Sequence, residues 1–178
     1  MAADLDLDDA SEIAVRMFEA GIAAILDLDW SVVNDERLLD RLRRIDRGER
    51  QIPAGRSAAL SEVKTRGLAE QHGCRTAAAF LRQLLNCSAA EAGSRLALAD
   101  DLVPGRSLST GEQLPPKLPA LAAAVADGAV GAEHVRLIRH TMRRIPNTVD
   151  QPTRDKAEHD LVEHARTLDP DQFKKSYA

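Results

Sequence analysis

A chain of 178 residues has room for one domain with a sizeable core, or at most two small ones. With 44% hydrophobic but only 3% aromatic residues, alanine and leucine carry that core, which favours close helix packing and argues against single-strand binding by base stacking. The net charge of −4 hides a division. Met1 to Glu36 holds one arginine against ten carboxylates, Arg37 to Arg144 holds 18 basic against 11 acidic residues, and Ile145 to Ala178 holds five against seven. An acidic flank beside a basic middle bears on partners more than on fold, although a mixed solvated surface whose sign clusters by chance is the plain alternative.

No run of 18 or more apolar residues offers a membrane span. The acidic stretch Met1 to Asp9 is unlike a basic, apolar-backed signal peptide, so a cytoplasmic location is expected. Cys74 and Cys87 match neither a zinc spacing nor a CxxC pair, and reduced structural thiols are expected rather than a disulfide.

Met1 to Ala10 reads as an acidic tail. Ser11 is a good N-cap, and Ile13, Met17, Phe18, Ile22 and Ile25 follow at helical spacing. Asp27 to Asn34 breaks that pattern, with Trp30 docking the turn. A second helix starts near Asp35 on Leu38, Leu39, Leu42 and Ile45. Its other faces carry Arg37, Arg41, Arg43, Arg44, Arg47 and Arg50, interleaved with Asp40, Asp46 and Glu49. Pro53 and Gly55 are expected to interrupt or kink it. The pattern resumes at Leu60, Val63, Gly67 and Leu68 and stops at His72-Gly73, a glycine C-cap.

Thr76 opens a short helix with Ala77, Phe80, Leu81, Leu84 and Leu85 inward. Ser88-Ala89-Ala90-Glu91 is a capping box, and its helix runs to about Leu102, before Pro104. Gly105 to Gly111 is a polar loop. Pro115-Pro116 begins the next helix, with Leu118, Leu121, Ala122 and Val125 inward, closing at Asp127-Gly128. A helix from about Ala132 to Ile145 ends at Pro146. Another is capped by Thr153 and runs to Leu168 on Ala157, Leu161, Ala165 and Leu168. Asp169-Pro170-Asp171 then has the signature of a helix beginning, yet so short a helix is marginal in water. The expected architecture is all-α: an irregular bundle of about six to eight helices, with an acidic tail over 1–10, one helical domain over 11–168 and the start of a truncated helix over 169–178.

Chemistry is concentrated on the helix AEHVRLIRHTMRRI. Val135, Ile138, Met142 and Ile145 form an apolar stripe. Arg136, Arg139, His140, Arg143 and Arg144 recur at three- and four-residue steps as one basic face, opposed only by Glu133. Such a face can contact several DNA phosphates without reading bases. The competing reading pairs these arginines with the acidic N-terminal region or leaves them in solvent. Arg41, Arg43, Arg44, Arg47 and Arg50 form a secondary basic patch.

Thr76 to Leu102 has the length of a helix-turn-helix. Its second helix exposes Arg95 alone among basic residues and ends in Asp100-Asp101, so an ordinary helical hairpin is the stronger expectation. Asp155, His159 and Glu163 share a helical face, a spacing that charged solvent-facing helices produce routinely, and no metal site is expected there. No activated nucleophile and no glycine-rich phosphate loop is recognisable. Neither a catalytic residue, a cofactor nor a small-molecule substrate is therefore assigned.

The order GCRTAAAFLRQLLNCSAAEAGSRLALADDL, then LPPKLPALAAAVADGAVGAEHVRLIRHTM, resembles the actinobacterial thirteen-E-twelve repeat family. The most characteristic pieces are Ser88 to Ala92, Leu118-Pro119-Ala120, and the Ala126-Asp127-Gly128 turn leading to Glu133-His134, within a likeness running from about Asp35 to Phe173. The resemblance implies an N-terminal helical domain of unknown function, usually followed by an HNH endonuclease module. That domain has no assigned catalytic residues to carry over. The nuclease needs a histidine base, metal-binding histidines and an asparagine, whereas Asn34, Asn86 and Asn147 lie near no such cluster, so the module is expected to be absent. The ending from Phe173 to Ala178 departs from the family's continuation, and fits either a truncated copy or a short member. The sequence thus predicts a non-catalytic, DNA-associated helical domain linked to HNH nucleases. The alternative is a module that binds itself or another protein, without nucleic acid.

Overall fold

The longest element grows from the arginine-rich stretch after Asn34. In a computed structural model, which describes residues 7–107 and 109–177, α2 spans Asp35–Thr65 without a break. Asn34 starts it, its side-chain oxygen accepting from the Arg37 N–H at 3.0 Å. Pro53 was expected to interrupt or kink this helix; it does not interrupt it, and lies inside the continuous span. The missing N–H is tolerated because α2 is held on both sides of the proline, by Arg47 and Gln51 before it and by buried Ser57 and Leu60 after it.

Before it, α1 spans Leu7–Leu26. Ser11 therefore lies inside the first helix instead of capping it, since the helix has already begun at Leu7. Residues 1–6 of the expected acidic tail lie outside the described residues. A single 3₁₀ turn, Trp30–Val32, links α1 to α2, its N-cap Asp29 accepting from the Ser31 N–H at 3.0 Å.

The chain divides into two compact units, Met1–Arg43 and Arg44–Ala178. The boundary falls within α2. In the first unit no described side chain is buried; Trp30, Val33, Leu38 and Arg41 are half-buried and the others are exposed.

The second unit holds α3 (Leu68–Gln71), α4 (Ala77–Leu85), α5 (Ala89–Leu102), α6 (Pro119–Ala126), α7 (Ala132–Arg144), α8 (Gln151–Thr167) and α9 (Pro170–Tyr177). The described chain is 74% helical with nine helices, one more than the expected upper number because the stretch after Asp169 forms a helix of its own, α9; α2 and α3 separate at Gly67, whose φ is +62°. The only strands among the described residues, β1 (Gly105–Arg106) and β2 (Gln113–Leu114), form a minimal antiparallel ladder within the expected polar loop. The all-α reading is correct.

Local signals acted mostly as written. Thr76 accepts from the Ala79 N–H and Ser88 from the Glu91 N–H, both at 3.1 Å. Only half of the capping box forms, because Glu91 turns to Arg95. The α4–α5 hairpin turns on Asn86, left-handed at φ 47°. Two starts differ from expectation: α6 begins at Pro119, not Pro115, and α8 begins at Gln151, after Asp150, rather than at Thr153.

Two buried clusters organise this unit. Leu60 of α2 packs with Leu81, Ala92 and Ala99 of the hairpin. A larger cluster gathers Leu102, Leu121, Val125, Val130, Ile138, Met142, Leu161, Val162 and Phe173. The end of α6 shows how closely α2 is seated. Gly128 (φ +67°) and Ala129 return hydrogen bonds to Val125 and Ala124, closing a Schellman turn. The next free carbonyls, Ala126 and Asp127, accept from Gln51 at 2.8 Å and Arg47 at 2.9 Å. A β-carbon at Gly128 would lie 2.6 Å from the Arg47 carbonyl oxygen, so the approach requires glycine.

Candidate functional site

Helix α7 was expected to present one apolar and one basic face. Val135, Ile138 and Met142 are buried, as the period requires, and Ile145 caps the helix half-buried. The basic face does not survive as a unit. Arg139 is buried, its side chain 10% exposed, and its Nε donates to Asp101 Oδ2 at 2.7 Å. Asp101 is itself only 15% exposed. The reason lies in the helix period: Arg139 follows Ile138 and sits one turn from both Val135 and Met142, at the margin of the apolar stripe. There the C-terminal turn of α5 presents its carboxylate. Arg139 Nη2 is buried with no hydrogen-bond partner among the described residues.

The other expected site residues separate. Arg136 forms a two-point pair with Glu133, with Nε at 2.8 Å. Arg143 is 60% exposed and shares Asp101 at 3.3 Å. His140 and Arg144 are exposed. In the secondary patch Arg47 caps α6, and Arg50 pairs with Asp46 at 2.6 Å. Arg41 is half-buried, while Arg43 and Arg44 are exposed. Asp100-Asp101, which argued against a recognition helix, has a structural use: Asp100 pairs with Lys64 of α2 and Asp101 with α7. Arg95 pairs with Glu91 at 2.5 Å.

Three titratable side chains for which the sequence suggested no structural role tie the helices of this unit together. His134 is buried on α7, with Nε2 3.0 Å from the Leu168 carbonyl and its ring edge-on to Phe173. Arg154 reaches the Ile145 carbonyl at 3.1 Å and so caps the end of α7. Glu158 of α8 is fully buried, and its Oε1 accepts from the Leu121 N–H at 2.8 Å at the start of α6. Leu118, the α6 N-cap, has no side-chain acceptor, so a carboxylate from another helix satisfies the free donor. The usable signal was periodicity, since Glu158, Leu161, Val162 and Ala165 recur on one face.

Burial pushes the Glu158 carboxyl above its ordinary value, and the Leu121 and Ala120 N–H groups only partly offset this. A carboxyl raised in the folded state contributes stability that is present below its unfolded value and lost as pH rises through the folded one. Glu158→Gln keeps an acceptor for Leu121 but cannot ionise. Its stability relative to the parent, measured by urea unfolding from pH 4 to 8, is expected to improve as pH rises. A difference independent of pH would contradict the assignment.

The first unit is the opposite of this interior. On α1, Met17 is 71% exposed, Phe18 49% and Leu26 80%, with Ile13, Val15, Ile22 and Ile25 also exposed. On the start of α2, Leu39 and Leu42 are 52% and 59% exposed. Asp9, Glu12, Arg16 and Glu19 share the remaining face of α1, with Arg16 Nε 2.7 Å from Glu12.

Both cysteines are free thiols. Among the described residues no group of three or more His, Cys, Asp and Glu side chains is placed to hold a metal ion; Asp155 instead accepts from Gln151 at 2.6 Å. No described helix is long and apolar enough to cross a membrane.

Residues 39–178 match the family described as Domain of unknown function (DUF222). An uncharacterized protein of Mycobacterium tuberculosis (strain H37Rv) is 33% identical over 162 residues, covering 91% of this chain and 36% of that protein. One from Mycobacterium bovis is 33% identical over 162 residues, covering 90% and 35%. Another from M. tuberculosis (strain CDC 1551) is 36% identical over 137 residues, covering 77% and 30%. The chain thus spans little more than a third of the length of the curated relatives it matches. No solved structure matches it. With most of its length matched, this chain belongs to the DUF222 family.

Proposed function

We propose that this chain is a non-catalytic helical module that binds protein through the apolar faces of its first unit, residues 7–43. The observation that carries the reading is the wide apolar surface of α1, exposed from Ile13 to Leu26. Soluble chains rarely leave such a patch open unless something docks on it. Most of the energy that keeps helices folded comes from packing an apolar face, and α1 buries none of its described side chains. The titratable groups of the interior support a non-catalytic role, since Arg139, His134 and Glu158 are each committed to a structural partner.

A second reading keeps the DNA-associated role that the likeness to the HNH-linked thirteen-E-twelve family implies. It now rests on His140, Arg143 and Arg144 rather than on the whole face. These three exposed side chains, two of them arginines, form a modest phosphate-contacting surface at the end of α7. Asp101 and Glu133 weaken that surface by neutralising Arg143 and Arg136, so protein binding stands first.

A photoreactive residue separates the two. Placed at position 22 in the full chain inside cells, it is expected to give covalent protein adducts; placed at position 144, it is expected to give no nuclease-sensitive adducts. The reverse pattern overturns the protein-binding reading in favour of phosphate contact.

A further inference from the structure

The two helices of the first unit carry matched surfaces that they do not use on each other. Leu38, Leu39 and Leu42 form an apolar stripe along the start of α2, entered at its first turn by Asp35, with Arg37, Arg41 and Arg44 towards one edge and Glu36 and Arg43 on the other, so that its edges are basic on balance. Asp40 lies on the opposite side of the helix. On α1 the apolar arc is bordered by Glu19 and by Glu12, which also pairs with Arg16, on one edge and by Asp9 on the other, so that the border stays acidic on balance. In one copy both stripes stay exposed, with Ile22 at 42%, Leu39 at 52% and Leu42 at 59%. An acidic-edged apolar helix and a basic-edged apolar helix thus stand open in the same unit.

We infer that the occupant of this surface is a second copy of the chain, with α1 of each copy lying on the start of α2 of the other. The inference rests on the reading of residues 7–43 as a protein-binding surface and names its partner. Charge selects this pairing: α1 on α1 would align the carboxylates of Asp9, Glu12 and Glu19, whereas α1 on α2 sets them beside Arg41 and Arg43. Symmetry then uses the contact twice, because residue i meets residue j and j meets i in an isologous dimer. The surface required is confined to residues 7–43.

Sedimentation equilibrium of the full chain, from nanomolar to high micromolar protein, tests this. The expected result is a reversible species of twice 19.4 kDa. Two charge-reversed chains sharpen the test: Glu12→Lys with Glu19→Lys on α1, and Arg41→Glu with Arg43→Glu on α2. Each alone opposes like charges at both contacts, and its dissociation constant is expected to rise by about tenfold or more. Mixed in equal amounts they restore opposite charges at both contacts, and the mixed dimer should form with the parent's affinity. Unchanged circular dichroism of both variants shows that folding is not the cause.

If the α2-reversed chain dimerises like the parent, the α1-on-α2 pairing is wrong. A parent that stays monomeric while position 22 still cross-links to other proteins overturns self-pairing and leaves the protein-binding reading standing. A monomeric parent with no protein adducts overturns both.

Discussion

Replacing Arg139 by alanine is expected to destabilise the chain by about 3 kcal/mol, because it strands the carboxylate of Asp101 in a site where both side chains are largely buried. The figure is at the low end for a broken buried pair because Arg143 remains as a second, more distant partner at 3.3 Å. Arg143→Ala, in contrast, removes an exposed arm and should cost less than about 1 kcal/mol. Urea unfolding of the two variants measures the contrast directly. Arg139→Met together with Asp101→Leu should recover most of the loss, since well-packed apolar residues replace a buried ion pair at little cost. Equal effects for Arg139→Ala and Arg143→Ala would return Arg139 to the solvent-facing basic surface that the sequence suggested. The comparison therefore decides whether α7 carries five candidate phosphate contacts or four at most.

Phe173→Ala is expected to cost about 3–5 kcal/mol and to release α9. Phe173 is 1% exposed, its ring meets His134 edge-on at 5.7 Å, and Tyr177 lies against it at 4.8 Å. Asp169 prepares the helix by accepting from the Asp171 and Gln172 N–H groups, both at 2.9 Å, but a cap alone does not hold eight residues helical in water. Native-state hydrogen exchange reads the result: α9 amides in the variant should exchange as freely as an open peptide, while α6 and α8 retain protection. If α9 stays protected, something other than Phe173 anchors it. Because His134 holds the Leu168 carbonyl just before α9, its alanine variant should loosen the same helix to a smaller degree.

Much of the architecture was present in local chemistry. Thr76, Ser88 and Asp169 each accept the backbone N–H groups that their positions as caps demand, and Gly128 stands at the left-handed position that closes α6. The 3.6-residue period placed Val135, Ile138, Met142, Leu161 and Ala165 inside, because burying one stripe of a helix is a property of spacing alone. The same logic failed where α2 continued through Pro53 and where Arg139 joined the core. A proline's missing hydrogen bond and a charged residue at a stripe's edge are each tolerated or not according to what lies across from them.

Those opposing groups come from far along the chain. Asp101 lies 38 residues before Arg139, Glu158 lies 37 residues after Leu121, and Arg47 lies 80 residues before Asp127. The sequence by itself determined the helical class, most helix ends and the apolar stripes, since these depend on backbone hydrogen bonding and residue spacing within a few turns. Only the tertiary structure decided which charges are structural and which face solvent, because the cost of burying a charge depends on a partner that local spacing does not reveal. It also decided that the apolar residues of α1, which the sequence placed only at helical spacing, are left exposed. Periodicity marks the stripe, whereas its exposure is a property that spacing alone does not reveal.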